Sequence, residues 1–298
     1  MAHPVIILGS GLAAYNVARE FRKLDKTTPL TLISRDHGGF YSKPMLSSAL
    51  AGNKTPASLL MKSAEKMAEE LNATILTQRS FTAIHVHTQA VVLDDDTVLP
   101  FRDLVLALGA DPIHLPVAGD GASEILSVND LDDFAHFYRR LDGAHSVAII
   151  GAGLIGCEFA NDLLARGIRP MVFDPSSWPL SRLLPQAAGV YLANKLVAAG
   201  VDFHFGVSVS AVNALQQGFE LVLSDGSQVH ADLVLSAVGL RSRTALATAA
   251  GLHINRGIVV DRCLQTSQAH IYAVGDCAEV AGHVLPFVLP IMQQARAL

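Results

Sequence analysis

Two stretches of this 298-residue chain place glycines where a backbone could hold a phosphate. In residues 147–158, VAIIGAGLIGCE, an apolar run ends at Gly151, and Gly151, Gly153 and Gly156 follow in G-x-G-x-x-G spacing. Gly151 suits a tight strand-to-helix turn, Gly153 lets the backbone approach a pyrophosphate, and Gly156 lets the helix lie close to the strand. The helix that follows would aim its first-turn N–H groups and the positive end of its dipole at the phosphates. The next apolar run, MVF, ends at Asp174, about 20 residues on, where a carboxylate can bind a ribose 2′-hydroxyl. A tight turn before a packed helix would account for the glycines alone. Strand, glycines and acid together point to a nucleotide site.

A second copy lies at the N-terminus. Val5–Leu8 precedes Gly9, Gly11 and Ala14, the G-x-G-x-x-A form, then a helical run to Leu24 and a strand Leu30–Ile33. The residue after that strand is Ser34, not an acid, and Asp36 is the nearby carboxylate. Whether Asp36 or the Ser34 backbone serves a ribose stays open.

The elements around these turns repeat. Short strands follow each βαβ unit, ATIL, TAIHVH, AVVL and TVLPF in the first and VDFHF, VSAVNAL, FELVLS and QVHA in the second. Each block closes on a buried-type strand, LVLALG to Gly109 and LVLSAVG to Gly239. The spacing predicts a helix over 55–71 opened by Pro56, a helix over 130–141 capped by Asn129, and a helix over 183–199. Pro112, Pro116, Gly119 and Gly121 mark a crossing between two domains. Lys43-Pro44 sits in the loop segment YSKPMLSSAL, which on its own reads as a solvated turn. Near the end, IYAVG is a buried strand and Asp276 follows it, either facing a ligand at the strand's C-terminal end or capping the next segment. The last apolar run ends at Leu298 without a cap or turn signal, which reads as an incomplete chain.

Composition excludes several classes. Half the residues are hydrophobic and the net charge is −5, with no Lys/Arg run to neutralise nucleic-acid phosphates. Cys157, Cys263 and Cys277 stand far apart without C-x-x-C, which fits a reducing cytoplasm and offers no paired-thiol redox centre. His85 and His87 share a strand face but lack partners in metal spacing, so no metal is expected. The N-terminal apolar run has no basic region before it and reads as a strand, not a signal peptide. No apolar stretch is long enough for a membrane helix.

The glycine turns, LVLALGADP, GAGLIGCE and YAVGD occur in an order that resembles the two-dinucleotide FAD/NAD(P)H oxidoreductases, the pyridine nucleotide-disulfide oxidoreductase-like family. YSKPMLS, GAGLIGCEFANDL, YAVGDCAEV and VLPFVLPIMQQARAL resemble its rubredoxin-reducing branch. The flavorubredoxin and ferredoxin reductases of the same fold are the alternative, and a slow-turnover flavin sensor is another.

The resemblance implies an α/β fold of two Rossmann-like, three-layer β/β/α, glutathione reductase-like domains. An FAD-binding domain would comprise 1–112 and 238–298, and an NAD-binding domain 113–237. The family's C-terminal interface domain is missing from this sequence. FAD would meet Gly9, Gly11, Ala14, Ser34, Asp36, Lys43, Pro44, Ala107, Gly109, Gly275, Asp276 and Val288. Asp276 would hold the ribityl chain, and the last helix would point its N-terminus at the flavin. NADH would meet Gly151, Gly153, Ile155, Gly156, Glu158, Asp174 and Gly239. Glu158 and Lys43 would position the reacting rings, and the two could pair with each other. Electrons would pass one at a time to rubredoxin or a similar small iron–sulfur protein, feeding an alkane hydroxylase-type chain.

Overall fold

The structure, a computed structural model, describes residues 3–298. Eight α-helices occur among them: α1 Leu12–Leu24, α2 Pro56–Leu59, α3 Ala64–Leu71, α4 Leu131–Arg140, α5 Leu154–Leu164, α6 Gln186–Ala199, α7 Ala245–Ala249 and α8 Val288–Ala297. The chain folds as two compact units. The first takes the residues up to Ser42, then Leu60–Asp111 and Arg241–Leu298; the second takes Lys43–Leu59 and Pro112–Leu240. The sequence reading attached residues 43–59 to the first unit; by contact they pack with the second.

In the first unit the apolar runs form a five-stranded sheet in the order Ile271–Ala273, Asp103–Leu106, Val5–Leu8, Leu30–Ile33, Thr74–Leu76. Every pairing is parallel, with Val5 opposite both Leu30 and Asp103. Ile6, Ile7 and Leu8 are wholly buried, as a parallel strand covered on both faces requires. A three-stranded antiparallel sheet, Phe81–His85, Ala90–Leu93 and Val98–Pro100, contributes Ile84, Val91 and Leu93 to the same core. The helix α1 adds Ala14, Tyr15, Val17 and Ala18.

The second unit repeats the design. Its parallel sheet runs Asp202–Phe205, Arg169–Asp174, Ser146–Ile150, Leu233–Ser236. An antiparallel sheet of Val209–Ala214, Phe219–Leu223 and Gln228–Ala231 shares one core with it, where Ala148, Ile150 and Met171 meet Val212, Leu221 and Leu223. Phe137 of α4 packs edge-on against Phe159 of α5 at 5.5 Å, and burying each ring contributes roughly 1.5–3 kcal/mol.

Four local readings change. The single helix expected over 55–71 is two, because residues 60–62 are extended: Lys62 bridges Phe40, and Ser63 then caps α3 by accepting from the Lys66 amide. Asp130, not Asn129, caps α4, with its carboxylate on the Asp133 amide at 2.8 Å. The Asp133 side chain reaches back to the Asn129 amide at 3.0 Å, so two neighbouring acids complete a reciprocal cap. The helix expected from Leu183 begins at Gln186, since proline disfavours helical backbone at the residue before it, Leu184, and residues 180–184 turn through Leu180 at φ 58°. His85 ends its strand and His87 lies in the following turn, so the two share no strand face. No helix among the described residues is long and apolar enough to cross a membrane.

Candidate dinucleotide sites

Both glycine turns stand at the C-terminal ends of parallel strands, the edge of an open α/β sheet where ligands bind. In the first, Gly9 has φ 124°, and a Cβ there would lie 2.3 Å from the Ala107 carbonyl oxygen. Gly11 is the N-cap of α1, makes no side-chain cap, and has nothing within 4 Å of where a Cβ would stand. Ala14 is wholly buried one turn later. The same sheet edge carries Ser34, Ala107 and the Gly275–Cys277 3-10 turn after strand Ile271–Ala273. Gly275 has φ 77° and its N–H donates to the buried Gln294 of α8 at 2.7 Å.

Asp36 turns inward. Its Oδ1 accepts from Ser34 at 2.6 Å, Ser10 at 3.1 Å and the Gly38 amide at 2.8 Å. Burial opposes its ionisation, but the Ser34, Gly38 and Ser10 hydrogen bonds outweigh it and hold the carboxyl below its usual range. This network orders the loop beside the turn, and the buried Tyr15 hydroxyl donates to Gly38 within it. Asp276 lies inside the 3-10 turn, where its carbonyl accepts from Ser242 at 2.7 Å. Gly109 has φ 71°, and its carbonyl accepts from the Arg243 amide at 3.0 Å. Val288 opens α8 behind Phe287, an N-cap without a side-chain hydrogen bond.

The second turn follows the same logic as the first, with glycine in place of alanine at the third position. Gly151 has φ 107° with the Ala237 carbonyl 2.8 Å from a would-be Cβ, and Gly153 is an uncapped N-cap facing open space. A Cβ on Gly156 would lie 2.0 Å from the Gly151 carbonyl oxygen, so glycine alone lets α5 sit on the turn. Asp174 accepts from the Ala152 amide at 2.7 Å and the Ser176 amide at 2.8 Å, which ties the turn to the loop after the strand. Ile155 is exposed on the first turn of α5, and Gly239, at φ 117°, follows strand Leu233–Ser236.

Lys43 and Pro44 fall in the second unit, on the 3-10 segment Lys43–Ser48. The Lys43 ammonium donates to Asn129 at 2.7 Å, and the Ser47 hydroxyl meets the Glu158 carboxylate. Ser47, which the sequence reading did not name, is thus a partner of Glu158. At three residues per turn, positions 44 and 47 share an edge of the segment and position 43 does not. Sequence reasoning missed Ser47, Asp162, Asn129 as a lysine partner, and Gln294. Asp162, one turn beyond Glu158 on α5, was the one legible signal, an acid on a helix face that otherwise buries Phe159 and Leu163.

Two uncapped helix N-termini, each with a side-chain-free position opening on space, fit pyrophosphates: donors point outward and no Cβ blocks approach. Among the described residues, no group of three His, Cys, Asp or Glu side chains could hold a metal ion. The three cysteines are free thiols.

Residues 3–296 match the family model described as pyridine nucleotide-disulphide oxidoreductase, and the chain belongs to that family. It is an oxidoreductase that uses FAD and NADH. The chain is 49% identical to a rubredoxin-NAD(+) reductase of Alcanivorax borkumensis, over 99% of this chain and 78% of that protein. It is 37% identical to a nitric oxide reductase FlRd-NAD(+) reductase of Vibrio vulnificus, over 100% of this chain and 78% of that one. The crystal structure of the covalent putidaredoxin reductase–putidaredoxin complex superposes with a TM-score of 0.92 at 30% identity, over 100% of this chain and 74% of that chain.

Proposed function

We propose that this protein takes a hydride from NADH onto FAD and passes electrons one at a time to rubredoxin or a similar small iron–sulfur protein, as part of an alkane hydroxylase-type chain in the cytoplasm. The observation that carries the reading is the pair of glycine turns, built alike in two units of one chain and each open at its helix N-terminus. The 49% identity to a rubredoxin-NAD(+) reductase supports the choice of acceptor. The ancestry shared with FlRd-NAD(+) reductases supports a flavorubredoxin as the alternative acceptor.

When bound, FAD supplies the step from two-electron to one-electron chemistry; the protein supplies binding, orientation and electrostatics. In this reading Gly9, Gly11 and Ala14 hold the FAD pyrophosphate, and the first-turn N–H groups of α1 carry its charge. Asp276 binds the ribityl hydroxyls, and Ser34, Asp36, Ala107, Gly109, Gly275 and Val288 line the rest. Gly151, Gly153, Ile155 and Gly156 hold the pyrophosphate of NADH, with Gly239 beside it. Asp174 binds the adenosine ribose and, as a carboxylate, repels the 2′-phosphate of NADPH. Lys43, Pro44 and Glu158 position the rings, and the hydride step requires no protein acid or base.

The test is steady-state reduction of purified rubredoxin by the FAD-loaded protein with NADH and NADPH in turn. The reading expects NADH-dependent reduction and a strong preference for NADH. Equal rates with both nucleotides would remove the Asp174 assignment, and no reduction of rubredoxin would remove the acceptor.

A further inference from the structure

The segment after Tyr41 is covalently part of the link between two strands of the first unit's sheet, yet it is fastened to the second unit at both ends. At its start, Lys43 donates to Asn129 at 2.7 Å, and Asn129 is itself buried with its amide held by Asp133. At its far end, the carboxylate of Asp162, 1% exposed, accepts the Leu50 amide at 2.8 Å with one oxygen and the Ala51 amide at 2.7 Å with the other. Between these clamps lies Ser47, 3% exposed, with its hydroxyl on the exposed carboxylate of Glu158.

Glu158 and Asp162 stand four residues apart on α5 and so share a face. A glutamate on a helix surface samples several rotamers, and a single hydrogen bond from a fixed donor selects among them. Ser47 is such a donor because its backbone is clamped on either side and burial keeps water from competing for its hydroxyl. Burial works against the charge on Asp162 and raises its pKa, opposed by the two amides, so the anchor is costly unless both amides are in place.

We propose that Ser47 and Asp162 are positioning residues for Glu158: Asp162 fixes the backbone of the 3-10 segment, and Ser47 fixes the glutamate rotamer that meets the nicotinamide end of NADH. The inference rests on the reading above that Glu158 faces the nicotinamide.

The test is a double-mutant cycle on the full FAD-loaded chain, read first as NAD+ binding without turnover and then as KM and kcat for NADH. Ser47→Ala should weaken NAD+ binding and raise KM roughly 3- to 10-fold, the size of one hydrogen bond's net contribution, with kcat changed less. Ser47→Thr, which keeps the hydroxyl, should restore both. In a Glu158→Ala background, which removes the acceptor, the Ser47→Ala effect should shrink to near nothing. A penalty of the same size in both backgrounds, or no penalty in the first, overturns the role of Ser47. If Glu158→Ala alone changes neither binding nor KM, the placement of Glu158 itself fails, which is a different result.

For Asp162, limited trypsin digestion reads the clamp directly. Asp162→Ala should speed cleavage after Lys54, just beyond the anchored amides, while Asp162→Asn, which keeps one acceptor oxygen, should give an intermediate rate. Unchanged cleavage in both variants overturns its role as the anchor.

Discussion

In the proposed reading Asp174 performs two tasks at once. Its oxygens already accept the Ala152 and Ser176 amides, and a carboxylate has lone pairs left for a ribose hydroxyl. Asp174→Asn keeps the volume and one acceptor oxygen. It should raise KM for NADH about 10-fold or more, the scale of a hydrogen bond to a charged group, and lower kcat less. Initial-rate kinetics decide this, and a fall confined to kcat would contradict the ribose role. The thiols give a second prediction at this scale. Burial pushes Cys157 up to about 11, helped by the Asp174 and Glu158 charges, and burial does the same to Cys277. The folded state therefore keeps these protons to higher pH than the unfolded chain. The stability they contribute is full below an ordinary thiol pKa of about 8.5 and is lost as pH rises toward about 11, by up to roughly 3 kcal/mol for each thiol. Denaturant midpoints measured across that window should fall, and should fall less in Cys157→Ser. With an aromatic disulfide reagent near neutral pH, the exposed Cys263 should react at once and the two buried thiols only on unfolding.

At the scale of the element, glycines of one motif separate into two kinds. A Cβ at Gly153 or Gly11 meets nothing within 4 Å, whereas one at Gly156 meets the Gly151 carbonyl oxygen at 2.0 Å. Gly153→Ala should leave the thermal midpoint within a few degrees, since a cap of this kind is worth on the order of 1 kcal/mol, and should still abolish NADH binding. Gly156→Ala should instead drive α5 off the turn and lower the midpoint itself. Thermal scans paired with NAD+ titration separate the two, and equal stability of both variants would contradict the packing argument. The strands and turns were legible because apolar runs bounded by glycines at fixed spacing leave few alternatives: Val5–Leu8 and Leu30–Ile33 fall where the pattern put them. The break at 60–62 was not, since Leu60 and Met61 continue a helical period and only the tertiary bridge from Lys62 to Phe40 reveals extended backbone there. Nor was the Ser47–Glu158 contact. The two residues are 111 positions apart, and the 3-10 geometry that turns Ser47 toward Glu158 leaves no trace in composition.

For the whole molecule, one chain carries the same glycine-turn design twice, and in the proposed reading its activity depends on both copies being filled by different dinucleotides. Damage to one turn should therefore leave the other ligand bound: Gly153→Ala should purify yellow and fail to react with NADH, while Gly11→Ala should lose its flavin. The most direct measurement is an anaerobic titration of the purified, FAD-loaded protein with NADH, followed by visible absorbance, with oxidised rubredoxin then added. Bleaching of the flavin band by about one equivalent of NADH and its recovery on adding rubredoxin is the result the two-dinucleotide reading requires. A flavin band that NADH leaves unchanged, or one that bleaches and does not recover when rubredoxin is supplied, would contradict it.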